Sequence, residues 1–399
     1  MYKKYVGMSM TAENNIEPLD AVSGMSAPPE GNSIQADPYL LYGAPLSLYT
    51  GKARSYLTFK QVPFEEVFSS ISVYKKIIIP KTGVRFIPVL KTPQDEYLQD
   101  TSHIIDTLEQ RHPHRPIIPV SPKQKLLSYL FEIWADEWLL IPAMHYRWNK
   151  DNFPFIYEEF GKIIVPRMPA FIRAFVGKKV GAKFKGFVPI LGITDKSIPA
   201  IEDWYEDHVL FHLNQHFSEY DYLLGGAPTL GDFALMGPLY AHLYRDPAPG
   251  ALMRSKAPHV ARWVERMNQP VSEVGELLVE DQIPETLIPI LQRMFKELWP
   301  VLVSTVSALE KWAESNVGER EIPRTVGNHS FKMGGITEQR AIMTFHQWKL
   351  QRVLDCYQAF DVSQKQQVDL FLQDVKGLEA MQQKIAIRLK RENNKLIIS

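Results

Sequence analysis

The sequence predicts a small α/β domain, then an all-helical domain, then a mainly helical extension. Short segments with strand-like composition precede residue 100, a proline-punctuated linker covers 112–122, and long aromatic-rich helical segments follow it. Of the 399 residues 45% are hydrophobic, which is enough to bury the cores of two or three domains. We therefore divide the chain at residues 40, 116 and 271.

The first 40 residues are predicted to be a disordered leader. They are rich in Asn, Ser, Pro, Gly and acidic residues, show no apolar periodicity and end in APPEGNSIQADP. The folded part is expected to begin near Tyr42, in a domain that covers 41–116.

Residues 41–116 show a mixture of strand and helix patterns. The segments PLSLY (45–49), PFEEVF (63–68), RFIPVL (85–90) and EYLQD (96–100) are predicted strands. TSHIIDTLEQR (101–111) is a predicted helix, because its apolar residues share one face. The pattern is that of a small α/β unit.

Helical segments dominate the domain at 117–271 and the extension at 272–399. A hairpin is predicted around 329–342. Apolar residues at helical spacing in the extension must be covered by the helical domain, a partner subunit or another protein. The predicted helices are 123–148, 197–217, 225–244, 257–267, 283–314 and 363–394.

Charge and cysteine content exclude several classes of function. Lysine plus arginine (45) equals aspartate plus glutamate (45), which disfavours nucleic acid and membrane surfaces as partners. The single cysteine, Cys356, excludes an intramolecular disulfide and a multi-cysteine zinc site, and no metal site is expected. With no apolar segment of membrane-spanning length, the chain is expected to be cytoplasmic.

Pro88 interrupts a segment that otherwise has the composition of a buried strand. Proline donates no ladder hydrogen bond, so it belongs at an edge, a bulge or a cis turn. Downstream, Asp100 and Thr101 precede an apolar helix, where a helix N-terminus offers free N–H groups and a partial positive charge. An ordinary N-cap explains this dipeptide equally well.

The order of these segments resembles the cytosolic glutathione transferase family. The resemblance covers residues 42 to about 268, and ADEWLLIPAMHYRW and PLYAHLYRDPAPG resemble a bacterial branch with a C-terminal extension. It implies a thioredoxin-like first domain in which Ile87, before a cis-Pro88, pairs with the backbone of glutathione. Asp100 would hold the tripeptide's amino group, and the helix start at Thr101 its γ-glutamyl carboxylate.

A hydroxyl at the end of the first strand is implied to activate the thiol of glutathione, whose pKa is near ~8.5. Tyr49 matches the tyrosine-type classes, and Thr50 and Ser55 are the alternatives. Tyr49 could equally be a strand tyrosine packed between the domains. The distance from Tyr49 to Pro63 predicts a first helix of only about two turns.

Three cations are candidates for the glycyl carboxylate of glutathione. They are Lys52, Arg54 and Arg85, of which the arginines could bind it bidentately. Each could instead be a solvated surface charge.

Four residues of the first long helix are candidates for an electrophile pocket between the domains. They combine aromatic rings with polar groups, but tryptophans at helical spacing more often build a core. The four are Trp138, His145, Tyr146 and Arg147.

GGAPTLGDFAL (225–235) contains Thr229 and Asp232 at the spacing of a capping box. In the resembled family this segment is a buried folding element, so we assign it to stability.

Two functions follow from the resemblance. The first is a glutathione transferase that forms homodimers and uses glutathione as co-substrate, for attack on a small hydrophobic electrophile, as in detoxification, or for peroxide reduction. The second is a non-catalytic glutathione-transferase-like module that serves binding or assembly.

Overall fold

A four-stranded mixed sheet forms the first part of the fold. The computed structural model describes residues 37–153 and 155–399, and Pro38–Ser399 form one compact unit. The strands are β1 Tyr39–Gly43, β2 Phe64–Phe68, β3 Val89–Lys91 and β4 Tyr97–Gln99. Their order is β2–β1–β3–β4; β1 is parallel to β2 and antiparallel to β3, and β3 is antiparallel to β4. With its helices, this sheet gives the predicted thioredoxin-like domain.

Three helical segments pack with the sheet. The first, α1, connects the parallel pair β1 and β2, as a crossover must. The second segment contains a π-helical turn, and the third begins directly after β4. They are α1 Leu48–Phe59, α2 at 71–82 and α3 Thr101–Arg111.

The start of the sheet differs from the prediction. The first strand is Tyr39–Gly43, so the folded part begins within the predicted leader; the rest of that leader, residues 1–36, lies outside the described residues. PLSLY is not a strand, because the Ser47 side chain accepts a hydrogen bond from Thr50 N at 3.3 Å and caps α1. The helix has 12 residues, so the expected shortening to about two turns is wrong.

The region after the linker is helical, as predicted, with π-helical turns at two places. The segment predicted as one helix at 123–148 consists of two helices joined by a π-helical turn at Trp134–Trp138. The next helices are α6 and α7, which form an antiparallel pair, and α8, which contains the second π-helical turn. The bounds are α4 Pro122–Ile133, α5 Leu140–Arg147, α6 Phe155–Ile164, α7 Ala170–Lys185, α8 at 198–219, α9 Leu230–Ala241, α10 Pro247–Lys256 and α11 Pro258–Met267.

The extension contains helices and two β-hairpins. The hairpin expected around 329–342 is confirmed, whereas the helix expected at 363–394 ends at Asp374 and is followed by a second hairpin. The bounds are α12 Ile288–Ser315, β5 Thr325–Met333, β6 Ile336–Met343, α13 Phe345–Gln358, α14 Val362–Asp374, β7 Leu389–Glu392 and β8 Lys395–Ile398.

One hydrophobic core runs from the sheet through the helical domain into the extension. Leu126 and Leu130 of α4 belong to the same cluster as Leu350 and Val353 of α13. The apolar face of α12 is buried as well; its buried residues include Phe295, Leu298, Trp299, Leu302 and Val306. Of the alternatives for covering the extension, the helical domain is therefore the one observed within the described residues. None of the described helices has the length and apolar character needed to cross a bilayer.

Candidate functional site

The Ile87–Pro88 peptide bond is cis and lies immediately before β3. Val89 pairs with Gln99 in the antiparallel ladder, so continuing that register places Pro88 opposite Asp100. The fold therefore brings together the two segments that the resemblance assigns to glutathione.

Asp100 caps α3 with its own side chain. Its Oδ1 accepts hydrogen bonds from the backbone N–H groups of Ser102 (3.0 Å) and His103 (3.2 Å). Its φ of 78° is combined with a ψ of 134°, a backbone conformation that residues other than glycine rarely adopt. Thr101 is buried beside it. Two of the N–H groups at this helix start, those of Ser102 and His103, are thus already bonded to Asp100.

A buried group of charges lies between α1, α4 and the extension. Lys52 Nζ is 3.0 Å from Glu132 Oε1 and 2.8 Å from Asp136 Oδ2. From the extension, Lys349 Nζ is 3.2 Å from Glu132 Oε1 and also pairs with Asp136, and Arg352 Nε is 3.2 Å from Glu132 Oε2. We call Lys52, Glu132, Asp136, Lys349 and Arg352 the ion cluster.

Within the ion cluster, neighbouring charges shift the pKa values of Glu132 and Lys349. Burial alone would raise the pKa of Glu132, but Arg352, Lys349 and Lys52 hold it well below its usual range. Burial would likewise lower the pKa of Lys349, yet Asp136 and Glu132 raise it above the ordinary lysine value. Carboxylates and cations therefore stabilise each other's charged forms away from water.

The ion cluster reaches the start of α3 through Ser102. The Ser102 hydroxyl donates to Glu132 Oε1 at 2.6 Å and accepts a hydrogen bond from Lys349. A residue of the extension thus touches the segment expected to hold a ligand.

Tyr49, the first candidate for thiol activation, lies in the first turn of α1 and not at the end of a strand. Its hydroxyl donates to the Asp136 backbone oxygen at 3.0 Å. Tyr49 as a whole is half-buried, but its hydroxyl end is buried. This burial raises the pKa of Tyr49 well above its ordinary value, and the nearby charges of Glu137 and Asp136 raise it further. The phenol is neutral and its proton is engaged within the protein.

The two alternative hydroxyls are also engaged. Thr50 is fully buried, and its Oγ1 accepts from Ala44 N at 3.3 Å. Ser55 donates to the backbone oxygen of Met267 at 2.7 Å and so contacts the helical domain.

The three cations predicted to bind the glycyl carboxylate lie in different surroundings. Lys52 is completely buried in the ion cluster, which excludes the solvated alternative for this residue. Arg54 binds Glu66 through two hydrogen bonds of 2.6 and 2.8 Å. Arg85 is exposed.

The residues predicted for an electrophile pocket are all buried. Trp138 lies under the guanidinium of Arg340, 5.4 Å from its ring centre. The other three use their polar groups within the helical domain: His145 with Glu202 at 2.8 Å, Tyr146 with Glu206 at 2.6 Å and Arg147 with Asp246 at 2.7 Å. Their arrangement matches the core alternative.

The C-terminal hairpin covers the outer side of the same region. Arg391 of β7 donates to the backbone oxygen (2.8 Å) and side-chain Oε1 (2.7 Å) of Gln99, and Asn394 donates to Thr82 O at 3.0 Å. Arg324 lies 4.1 Å from the ring centre of Phe86, next to the cis bond. Sequence reasoning missed these contacts, since each joins residues far apart in the chain.

A cavity of about 410 Å³ remains between α3, α13 and the C-terminal hairpin. Cations prevail in its lining, which includes His103, Asp106, Trp348, Arg352, Arg388 and Arg391. Burial and the charge of Arg391 lower the pKa of His103. Among the described residues no group of three or more His, Cys, Asp or Glu side chains is placed to hold a metal ion.

Asp232 organises the start of α9 from a fully buried position. Its Oδ2 accepts from Thr229 N (2.8 Å) and the Thr229 hydroxyl (3.0 Å), and its Oδ1 from Leu223 N (2.9 Å). The carboxylate connects the helix start to the preceding loop.

Two family models match the chain. Residues 41–116 match the glutathione S-transferase N-terminal domain, and residues 182–270 match the glutathione S-transferase C-terminal domain. The chain therefore carries the two domains of the glutathione S-transferase family. The extension from 272 onward lies outside both matches, and a comparison with curated proteins finds no match.

Several solved glutathione transferases are similar in structure. A glutathione S-transferase from Rhodospirillum rubrum F11 has 14% identity and a TM-score of 0.38, over 62% of this chain and 96% of its own. One from Methylobacterium radiotolerans, solved with glutathione sulfonate, has 19% identity and a TM-score of 0.35, over 61% of this chain and 100% of its own. A glutathione transferase from Phanerochaete chrysosporium has 15% identity and a TM-score of 0.41, over 58% of this chain and 97% of its own. Likenesses this weak carry no argument about activity.

Proposed function

We propose that this glutathione-transferase family chain is a non-catalytic binding and assembly module whose extension takes the place of a bound tripeptide. The observation that carries the proposal is the position of Lys349, which reaches from α13 to Glu132, Asp136 and Ser102. An ammonium group thereby stands beside the helix start where the amino group of glutathione is expected.

The donors at that helix start support the same conclusion. Asp100 accepts from Ser102 N and His103 N, and Arg391 is bonded to Gln99. The carboxylate of a ligand would have to displace the Asp100 carboxylate from these N–H groups. For Arg391 to pair with that ligand, it would have to give up its hydrogen bond to Gln99.

The candidates for thiol activation support it as well. The hydroxyls of Tyr49 and Ser55 donate to backbone oxygens, and that of Thr50 accepts from a backbone N–H. A thiolate requires a free, directed donor to be stabilised. Redirecting any of the three would break a hydrogen bond inside the fold.

A second candidate is glutathione transfer or peroxide reduction, which the register of Pro88 against Asp100 favours. That register keeps the two family segments side by side, so glutathione could bind if the extension moved away. Homodimers, implied by the family resemblance, and a cytoplasmic location, expected from the sequence, are compatible with either function.

Calorimetry with glutathione on the full chain, followed by turnover of a generic electrophile, distinguishes the two. The module predicts neither binding nor turnover in the wild type. Saturable binding, together with turnover that Tyr49→Phe reduces, would establish the enzyme instead. Turnover that Tyr49→Phe leaves unchanged would also refute the module, and would assign the donor to Thr50 or Ser55.

Removing the contacts of the extension with the candidate site tests their role directly. If these contacts are all that keeps glutathione out of a competent site, the double variant Lys349→Met and Arg391→Met should bind glutathione although the wild type does not. The matched control is Lys332→Met, at an exposed position of β5. If the chain is a non-catalytic module, neither the double variant nor the control binds glutathione.

A further inference from the structure

The antiparallel helices α6 and α7 carry an unusual segment of sequence. Between residues 160 and 190 the only polar side chains are seven lysines and arginines, and there is no Asp, Glu, Asn, Gln, Ser or Thr. The chain as a whole has a formal net charge of zero. The overall balance on which we excluded membrane surfaces therefore conceals a concentrated basic segment.

Large apolar side chains of this segment face solvent. Phe171 and Phe175 are 75% and 71% exposed, and Met168, Phe184 and Phe187 are each more than 40% exposed. Scattered exposed apolar residues are ordinary, but a contiguous group on one helical hairpin indicates an interaction surface.

The aromatic and basic groups share the outer face of α7. Phe171, Phe175, Lys178 and Ala182 follow each other at steps of four, three and four residues, which places them on one side of a helix, and all four are exposed. Lys179 and Lys183 flank that side and are also exposed. We call Phe171, Phe175, Lys178, Lys179 and Lys183 the basic aromatic face.

The inner face of α7 is made for close packing on α6. A Cβ atom on Gly177 would lie 1.9 Å from Tyr157 O, and one on Gly161 would lie 2.2 Å from Arg173 O. The two backbones therefore approach each other where neither helix has a side chain. This contact holds α7 with its basic aromatic face outward.

We propose that the basic aromatic face binds the surface of an anionic phospholipid bilayer. Phenylalanines enter the boundary between headgroups and acyl chains, while the lysines beside them pair with lipid phosphates and carboxylates. The helix lies in the plane of the membrane surface and does not span it.

Other occupants fit these residues less well. A second copy of the chain meeting the same face would bring lysines against lysines with no acidic residue in the segment to offset them. A nucleic acid would satisfy the lysines, but this segment offers no amide or hydroxyl side chain to bases, whereas its exposed phenylalanines suit hydrocarbon.

Flotation of the full chain with vesicles tests the proposal. We expect binding to vesicles of phosphatidylcholine mixed with phosphatidylserine, weakened by added salt, and little binding to phosphatidylcholine alone. Phe171→Ser with Phe175→Ser, and separately Lys178→Gln with Lys179→Gln, should each weaken binding by about tenfold or more. The matched controls are Leu370→Ser, and Lys75→Gln with Lys76→Gln, at exposed positions elsewhere.

A labelled variant keeps every residue of the basic aromatic face and reports its environment. Cys356 is buried, so an environment-sensitive thiol dye would attach at Ala182→Cys and, as a control, at Ser363→Cys of α14. A blue shift with phosphatidylserine vesicles at position 182 alone supports the proposal. The proposal would be overturned if the chain did not bind vesicles, or if the dye shifted equally at both positions. It would also be overturned if the chain preferred RNA or DNA and the phenylalanine substitutions did not change that binding.

Discussion

Lys349 in the extension and Glu132 in the helical domain form a buried ion pair, with Nζ 3.2 Å from Oε1. Each side chain is at most 2% exposed. Both groups have lost their hydration, so each depends on the other charge and on the rest of the ion cluster. The pair connects the extension to the family fold through electrostatics as well as through the shared apolar core.

Removing that cation should destabilise the whole unit. Lys349→Met leaves Glu132 and Asp136 buried with one fewer counter-charge, and we expect a loss of about 3 kcal/mol in the free energy of unfolding. Urea denaturation measures it, with Lys332→Met as the exposed control. A loss no larger than in the control would show that Lys52 and Arg352 are enough to neutralise the carboxylates.

Arg340 should behave in the opposite way. It is 1% exposed, and in the described part of the chain none of its three guanidinium nitrogens has a hydrogen-bond partner; it lies over the rings of Trp138 and Phe331. Burial lowers the pKa of Arg340 to about 10 despite the charge of Glu137.

Replacing this unsatisfied cation with an apolar side chain of similar volume removes a desolvation cost. We expect Arg340→Met to leave the free energy of unfolding unchanged or to raise it by about 1–2 kcal/mol. Urea denaturation of this variant beside Lys349→Met compares two buried cations directly. Comparable losses in both would mean that Arg340 has acceptors in solution, such as buried water.

The sequence predicted those elements whose signals are local. The helix at 101–111 was predicted with the bounds it has, because Asp100 caps it and Ile104, Ile105 and Leu108 line its buried face. The prediction of a strand at PLSLY is wrong. Its apolar and polar residues alternate as in a strand, but Ser47 caps α1 by accepting a hydrogen bond from Thr50 N, three residues later.

The cover over the candidate site could not be predicted in the same way. Lys349, Arg352 and Arg391 meet their partners across more than two hundred residues, and no periodicity encodes such a pairing. One signal was available: the carboxylates Glu132, Asp136 and Glu137 stand among large apolar residues in FEIWADEWLLI, and carboxylates buried in such a segment require cations. It indicates that cations exist without telling which ones they are.

Asp232 should matter more than an exposed cap. Asp232→Ala removes the acceptor for Thr229 N, the Thr229 hydroxyl and Leu223 N in a buried site, so we expect a loss of about 1–3 kcal/mol. The control is Asp361→Ala, which removes a capping box at the exposed start of α14. Thermal unfolding compares the two variants, and an unchanged melting temperature for Asp232→Ala would refute the assigned role.

His216 should make stability fall in acid. It is fully buried, with Nδ1 2.7 Å from Thr286 Oγ1 and Nε2 3.2 Å from Tyr222 O, and burial lowers its pKa to about 4 although the Tyr222 hydrogen bond acts in the other direction. A carbonyl only accepts, so Nε2–H donates to Tyr222, and the Thr286 hydroxyl donates to the neutral Nδ1.

The direction of the effect follows from proton binding. Between the ordinary pKa of 6.5 and about 4, the unfolded chain binds a proton at this position and the folded chain does not. The stability linked to neutral His216 is thus fully present above pH ~6.5 and declines by about 3 kcal/mol as the pH falls to about 4. His216→Gln keeps a donor and an acceptor but does not titrate, so the wild type should lose that much stability relative to the variant. Urea denaturation across this pH range measures the difference, with His259→Gln as the control for a partly exposed histidine; parallel curves for wild type and His216→Gln would contradict the prediction.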